Sequence, residues 1–187
     1  MRKTTLTVRD IHELARDCLI ANGCDTDNAD AVAETIAAAE RDGCPGHGLI
    51  RLPGYVAALK SGKVDGAARP KIEQVAPSAL RVDANGGFAP LALQSSRDAL
   101  IDLAKAQGVA VLGLVRVHHF AALWIEVEAL AEAGLSALAC TAYMPAMPPA
   151  GGAKKFFGTN PLAFGWPRVG KPPKYALRAT ASSRDLH

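Results

Sequence analysis

Two short apolar runs separated by one helix-length segment constrain this chain more than any other feature. Residues 109–115 read Val-Ala-Val-Leu-Gly-Leu-Val, and residues 135–141 read Leu-Ser-Ala-Leu-Ala-Cys-Thr. Each is too short for a stable helix and apolar enough to be a strand covered on both faces. Residues 121–133 between them carry helix-forming Ala, Leu and Glu. Strand, helix and strand in succession predict an α/β or α+β chain built around a sheet.

Upstream of this unit the pattern is helical. Ile11, Leu14, Ala15, Cys18 and Leu19 recur at helical spacing, with Thr7 or Asp10 available as cap and Asn22-Gly23 as terminator. Asp25-Thr26-Asp27 opens a second, alanine-rich helix running to Glu40. A loop dense in Gly and Pro spans 41–48, and a third helix is predicted over 49–60. Strands are predicted at 71–75 and 79–83, a turn at 85–87 and a long helix over 90–107. A Pro- and Gly-rich loop covers 143–152, and one more strand begins at 164–167. The predicted organisation is a helical region over 1–70, the start of a sheet and cofactor-binding region over 71–173, and a tail over 174–187.

Composition removes several function classes. The net charge of +3 comes from scattered Lys and Arg, with no basic run of about 5–8 residues to serve a nucleic acid. No apolar stretch approaches the roughly 18 residues of a membrane span. The opening MRKTTLTVRD is polar and lacks the apolar segment of a secretory signal. The four cysteines, Cys18, Cys24, Cys44 and Cys140, form no C-x-x-C pair, so reduced thiols and a cytoplasmic location are expected.

Three segments carry residue types suited to chemistry. In Gly46-His47-Gly48, flanking glycines open the imidazole to a ligand, and its ordinary pKa suits proton transfer near neutrality. Arg51 follows four residues on with a fork that matches a carboxylate. The other reading of His47 is a loop residue that caps a helix. Arg116-Val117-His118-His119-Phe120 leaves the end of a predicted strand, where ligands gather in α/β sheets. Adjacent histidines point in different directions, so polar or cofactor contact fits them better than metal ligation, and no metal is expected. The stretch 151–161 pairs glycine amides with Lys154 and Lys155, as an anion-holding loop or as a plain turn. Two patterns are missing. No G-x-G-x-x-G follows a predicted strand, so a nicotinamide dinucleotide would not be held by the Rossmann fingerprint. No G-x-S-x-G occurs, and Ser95-Ser96 falls within a predicted helix, which disfavours a serine hydrolase.

Taken in order, His47-Gly48-Leu49-Ile50-Arg51-Leu52-Pro53-Gly54-Tyr55, then His119-Phe120, then Gly158-Thr159-Asn160-Pro161-Leu162-Ala163 resemble the type-2 malate/L-lactate dehydrogenases. The likeness runs from about Thr7 to Pro173. Residues 118–124 and 157–168 resemble the branch that reduces Δ1-piperideine-2-carboxylate and Δ1-pyrroline-2-carboxylate to L-pipecolate and L-proline. The resemblance implies a non-Rossmann fold, N-terminal helices followed by a mixed, largely antiparallel sheet with helices. It implies NADPH as cofactor, with NADH as the other possible donor, a small imine or 2-oxo acid as substrate, and a homodimer. It assigns His47 as proton donor, Arg51 to the substrate carboxylate, Thr159 to the substrate, and His119, Phe120, Ala121, Ala122 and Leu123 to the cofactor.

Two departures accompany the likeness. Gly46 stands where the family has a serine that orients the histidine. Residues 174–187 do not read as the apolar strand that the family continues with. An incomplete, truncated or frameshifted chain is therefore expected, and with it a non-catalytic fragment as one alternative. A malate- or lactate-type 2-hydroxy acid dehydrogenase is the other.

Overall fold

The computed structural model describes residues 5–118, 122–168 and 170, and the backbone of 174–178. The chain divides into two compact units, Met1–Ala122 and Leu123–His187.

In the first unit, α1 (Val8–Ile20) starts with both cap candidates acting together. Asp10 N–H donates to Thr7 Oγ1 at 3.1 Å, and Thr7 N–H donates to the Asp10 carboxylate at 2.8 Å, a reciprocal capping box. The bonds from Thr7 hold the Asp10 carboxyl below its ordinary pKa. Asp25 caps α2 (Thr26–Arg41) by accepting from Asn28 N–H. The alanines of α2 let it pack closely, and Ala29, Val32, Ala33 and Ile36 join Ala15 and Leu19 of α1 in one core. Tyr55 from α3 (Leu52–Lys60) and Phe88 complete it. The third helix differs from its prediction at the start. Leu49–Arg51 form a 3-10 turn, and the α-helix begins at Leu52 with Pro53, whose missing N–H is harmless in a first turn.

The sheet of this unit has the order β1 (Lys71–Ala76), β2 (Ala79–Asp83), β3 (Val111–Val115), with α4 (Ala89–Gln107) crossing between β2 and β3. β1 and β2 are antiparallel and β2 and β3 parallel. Leu112, Leu114 and Val117 pack against Val82, Ala84 and Ala92. The expectation of a strand buried on both faces is corrected here. Val111 is 62% exposed, because β3 turns alternate side chains to opposite faces and packs Leu112 and Leu114 inward, leaving the Val111 face uncovered. Both serines of α4 bond within the helix, Ser95 Oγ to the Leu91 carbonyl and Ser96 Oγ to the Ala92 carbonyl.

The second unit packs α5 (Leu123–Glu132) on a sheet of order β4 (Ala137–Cys140), β5 (Leu162–Trp166), β6 (Lys174–Arg178), antiparallel throughout. Gly165 permits the packing, because a Cβ there would stand 2.5 Å from the Val127 carbonyl oxygen of α5. Ala163 and Ala137 share that covered face. Leu138, Leu162, Phe164 and Trp166 are exposed, so β4 is also covered on one side only, contrary to expectation. Residues 174–178, which lack an apolar run, pair with β5 as a strand. Ladder membership is decided by backbone hydrogen bonds, and continuous apolarity is not required for it. Among the described strand-to-strand ladders β2/β3 is parallel and the other three are antiparallel, which gives the mixed, largely antiparallel architecture expected of a non-Rossmann fold.

Candidate active site

The segment between α2 and α3 carries His47 and Arg51. Pro45–His47 form a 3-10 turn in which His47 N–H donates to the Cys44 carbonyl at 2.9 Å and Gly48 N–H to the Pro45 carbonyl at 3.1 Å. His47 is half-buried, with its Nδ1 edge turned inward. Gly48 is buried against the Glu40 side chain, where a Cβ would overlap the carboxylate. Arg51 is exposed, and its Nε donates to the Gly46 carbonyl at 2.6 Å. That bond folds the guanidinium back onto the residue preceding His47. The structure thus anchors Arg51 on the backbone of the residue that precedes His47.

Behind this loop lies an aromatic column. Tyr55 meets Phe88 edge-on at 5.4 Å between ring centroids, and Phe88 meets His118 edge-on at 6.0 Å. Burial raises the Tyr55 hydroxyl to about 12, against a smaller opposite pull from Arg51. Tyr55 therefore stays protonated at neutral pH and acts here as core. Burial likewise lowers His118, with Lys63 adding to the effect, so the neutral imidazole is favoured.

Arg116 turns out to be structural. Its backbone adopts φ +48, and its guanidinium holds Asp83 and the Asn85 side chain. His118 N–H donates to the Gly87 carbonyl at 2.9 Å, so the chain leaving β3 is stitched to the turn after β2. Ala122 and Leu123 are buried, at 7% and 5% exposure. His119, Phe120 and Ala121 lie outside the described residues.

Thr159 belongs to the second unit, where it is half-buried between two tightly defined neighbours. Gly158 presses against the Tyr143 carbonyl so closely that a side chain would overlap it. Asn160, at φ +39, accepts the Tyr143 N–H at 3.0 Å. Lys154 and Lys155 are exposed on the loop that the Met147–Phe157 bridge closes. Among the described residues no group of three or more His, Cys, Asp or Glu could hold a metal ion.

Glu40, Tyr55 and Phe88 were missed as parts of this arrangement. Glu40 reaches the loop from nine residues before Leu49, a separation with no periodic signature. Its one trace in the sequence is the glycine that must yield space to it.

The comparisons with known proteins agree with this architecture. Residues 6–183 match the family described as malate/L-lactate dehydrogenase. The match therefore continues past the expected break at residue 173. A Δ1-pyrroline-2-carboxylate/Δ1-piperideine-2-carboxylate reductase of Pseudomonas aeruginosa is 48% identical over 168 residues, 90% of this chain and 50% of that protein. A Δ1-pyrroline-2-carboxylate reductase of Ancylobacter novellus is 44% identical, over 96% of this chain and 53% of that protein. The crystal structure of the Δ1-piperideine-2-carboxylate reductase of Pseudomonas syringae pvar. tomato superimposes with a TM-score of 0.89 at 44% identity, covering 95% of this chain and 54% of that one. The chain spans about half the length of the curated relatives it matches. On fold, matched residues and identity, this chain belongs to the malate/L-lactate dehydrogenase family.

Proposed function

We propose that the protein reduces a cyclic imine acid, Δ1-piperideine-2-carboxylate or Δ1-pyrroline-2-carboxylate, to L-pipecolate or L-proline with NADPH, NADH being the other nicotinamide donor. The observation that supports this reading is the Arg51 to Gly46 hydrogen bond at 2.6 Å, which ties the guanidinium to the residue preceding His47. Arg51 binds the substrate carboxylate through its guanidinium. His47 gives a proton to the imine nitrogen as the C=N electron pair moves onto it. Thr159 is assigned to substrate contact by the family resemblance.

The nicotinamide supplies hydride to the imine carbon when bound. The residues present suit it in donor chemistry: exposed Lys154 and Lys155 are cations for phosphate oxygens. The stretch from His119 through Phe120, Ala121 and Ala122 to Leu123 is assigned to cofactor contact. The working form is a cytoplasmic homodimer without nucleic-acid or membrane partners. Four unbridged cysteines support the compartment. Among the described residues no helix is long and apolar enough to cross a membrane.

The test is a comparison of NADPH oxidation with Δ1-piperideine-2-carboxylate, pyruvate and oxaloacetate as substrates. Faster turnover of the imine acid is expected. Faster turnover of either oxo acid overturns this reading in favour of a 2-hydroxy acid dehydrogenase.

A further inference from the structure

We infer that Glu40 is the positioning residue of His47, acting through the backbone of the loop that carries it. The inference rests on the acid role proposed for His47.

Glu40 sits in the last turn of α2, half-buried, and controls both ends of the loop. Its own carbonyl accepts the Gly43 N–H at 3.1 Å, while the neighbouring Ala39 carbonyl accepts Cys44 N–H at 2.8 Å. These bonds fix where the loop departs. At the far end Glu40 Oε1 accepts the Leu49 N–H at 2.8 Å. Leu49 opens the 3-10 turn that leads into α3, and an amide at such a start has no partner within its own helix. Gly48, which precedes it, has no side chain to cap the turn. A carboxylate nine residues back takes over the capping role.

The approach needs glycine at 48, since any Cβ there would overlap the Glu40 carboxylate. His47 is thereby held between two anchors, its own N–H bond to Cys44 and the Leu49 bond to Glu40. Glu40 need not touch the substrate to matter, because small displacements of an acid from its proton acceptor cost large factors in rate.

The experiment uses the full chain and three variants, Glu40→Ala, Glu40→Gln and Gly48→Ala. Three readouts apply: exchange of the Leu49 amide, the ring nitrogen signals of His47, and steady-state reduction of Δ1-piperideine-2-carboxylate. Glu40→Ala should raise Leu49 exchange about tenfold, the scale of one ordinary hydrogen bond. It should also shift or broaden the His47 ring signals, and lower kcat more than it changes KM. Glu40→Gln keeps an acceptor oxygen and should restore protection, ring signals and most of kcat. Gly48→Ala should resemble Glu40→Ala, and the double variant should add little to either.

Wild-type Leu49 protection and His47 signals in Glu40→Ala would overturn the inference, as would Glu40→Gln failing to rescue. If the wild-type chain reduces no imine acid, the function reading fails, and the two magnetic resonance readouts still decide whether Glu40 holds the loop.

Discussion

Arg116 grips both carboxylate oxygens of Asp83, with Nε 2.8 Å from Oδ1 and Nη2 2.8 Å from Oδ2, joining the ends of the parallel strands β2 and β3. Asp83 also accepts the Asn85 N–H, and the Arg116 bond holds its carboxyl below the usual carboxylate range. The pair pins the chain where it leaves β3 toward the stretch assigned to cofactor contact. Asp83→Ala and Arg116→Ala should each lower the urea midpoint, and their combination should cost less than the sum. Strictly additive losses would show that the two side chains act separately.

Gly46 has open space around its Cβ position, and its φ is not in the left-handed region. Gly46→Ser should therefore leave stability within about 0.5 kcal/mol of wild type, as for an ordinary surface change. It should also raise turnover by up to about tenfold by adding a hydroxyl next to His47, on the scale of one net hydrogen bond. A drop in turnover with the fold intact would contradict the orientation argument.

Gly165 faces the Val127 carbonyl of α5. A methyl group there must push α5 off β5, so Gly165→Ala should destabilise the second unit by about 1–3 kcal/mol, the range for overpacking. Thermal or urea unfolding followed through tryptophan fluorescence measures this, since Trp124 and Trp166 both lie in this unit. An unchanged midpoint would mean that α5 and β5 are not packed at this distance.

Acid should weaken the first unit through His118. Burial lowers its pKa in the folded state, so the unfolded chain binds the proton more readily. Stability from this group is complete above its ordinary value near 6.5 and is lost as pH falls below it. The urea midpoint should drop between neutral pH and about pH 5.5, near the ordinary histidine range, and His118→Gln should flatten that part of the profile. An identical pH dependence in the variant would assign the effect to another group.

Local signals carried much of this fold. Thr7 and Asp10 were both recognisable as caps, and the structure uses them reciprocally. Helix α2 ends within one residue of its predicted end, because alanine propensity and a Gly-rich loop agree there. Apolar runs misled at β3 and β4. Val111 and Leu138 are exposed although the runs around them suggested cover on both faces, and a run's composition does not reveal how many layers it meets. Residues 174–178 erred the other way, joining a ladder without an apolar run. At the candidate site, flanking glycines and spacing marked His47 and Arg51 as candidates but left His47 open between a ligand-facing imidazole and a helix cap, and their roles came from the family resemblance. Glu40 was not, because its partner is a backbone amide reached across a loop, and no residue-type pattern marks such a bond.

The central claim is that His47 supplies the proton for imine reduction. The most direct test is kcat for Δ1-piperideine-2-carboxylate in His47→Ala, with the fold checked by circular dichroism. Loss of a general acid should lower kcat by about 10²–10⁴-fold while the spectrum is unchanged. A folded variant with kcat near wild type would contradict the account and remove His47 from the acid role.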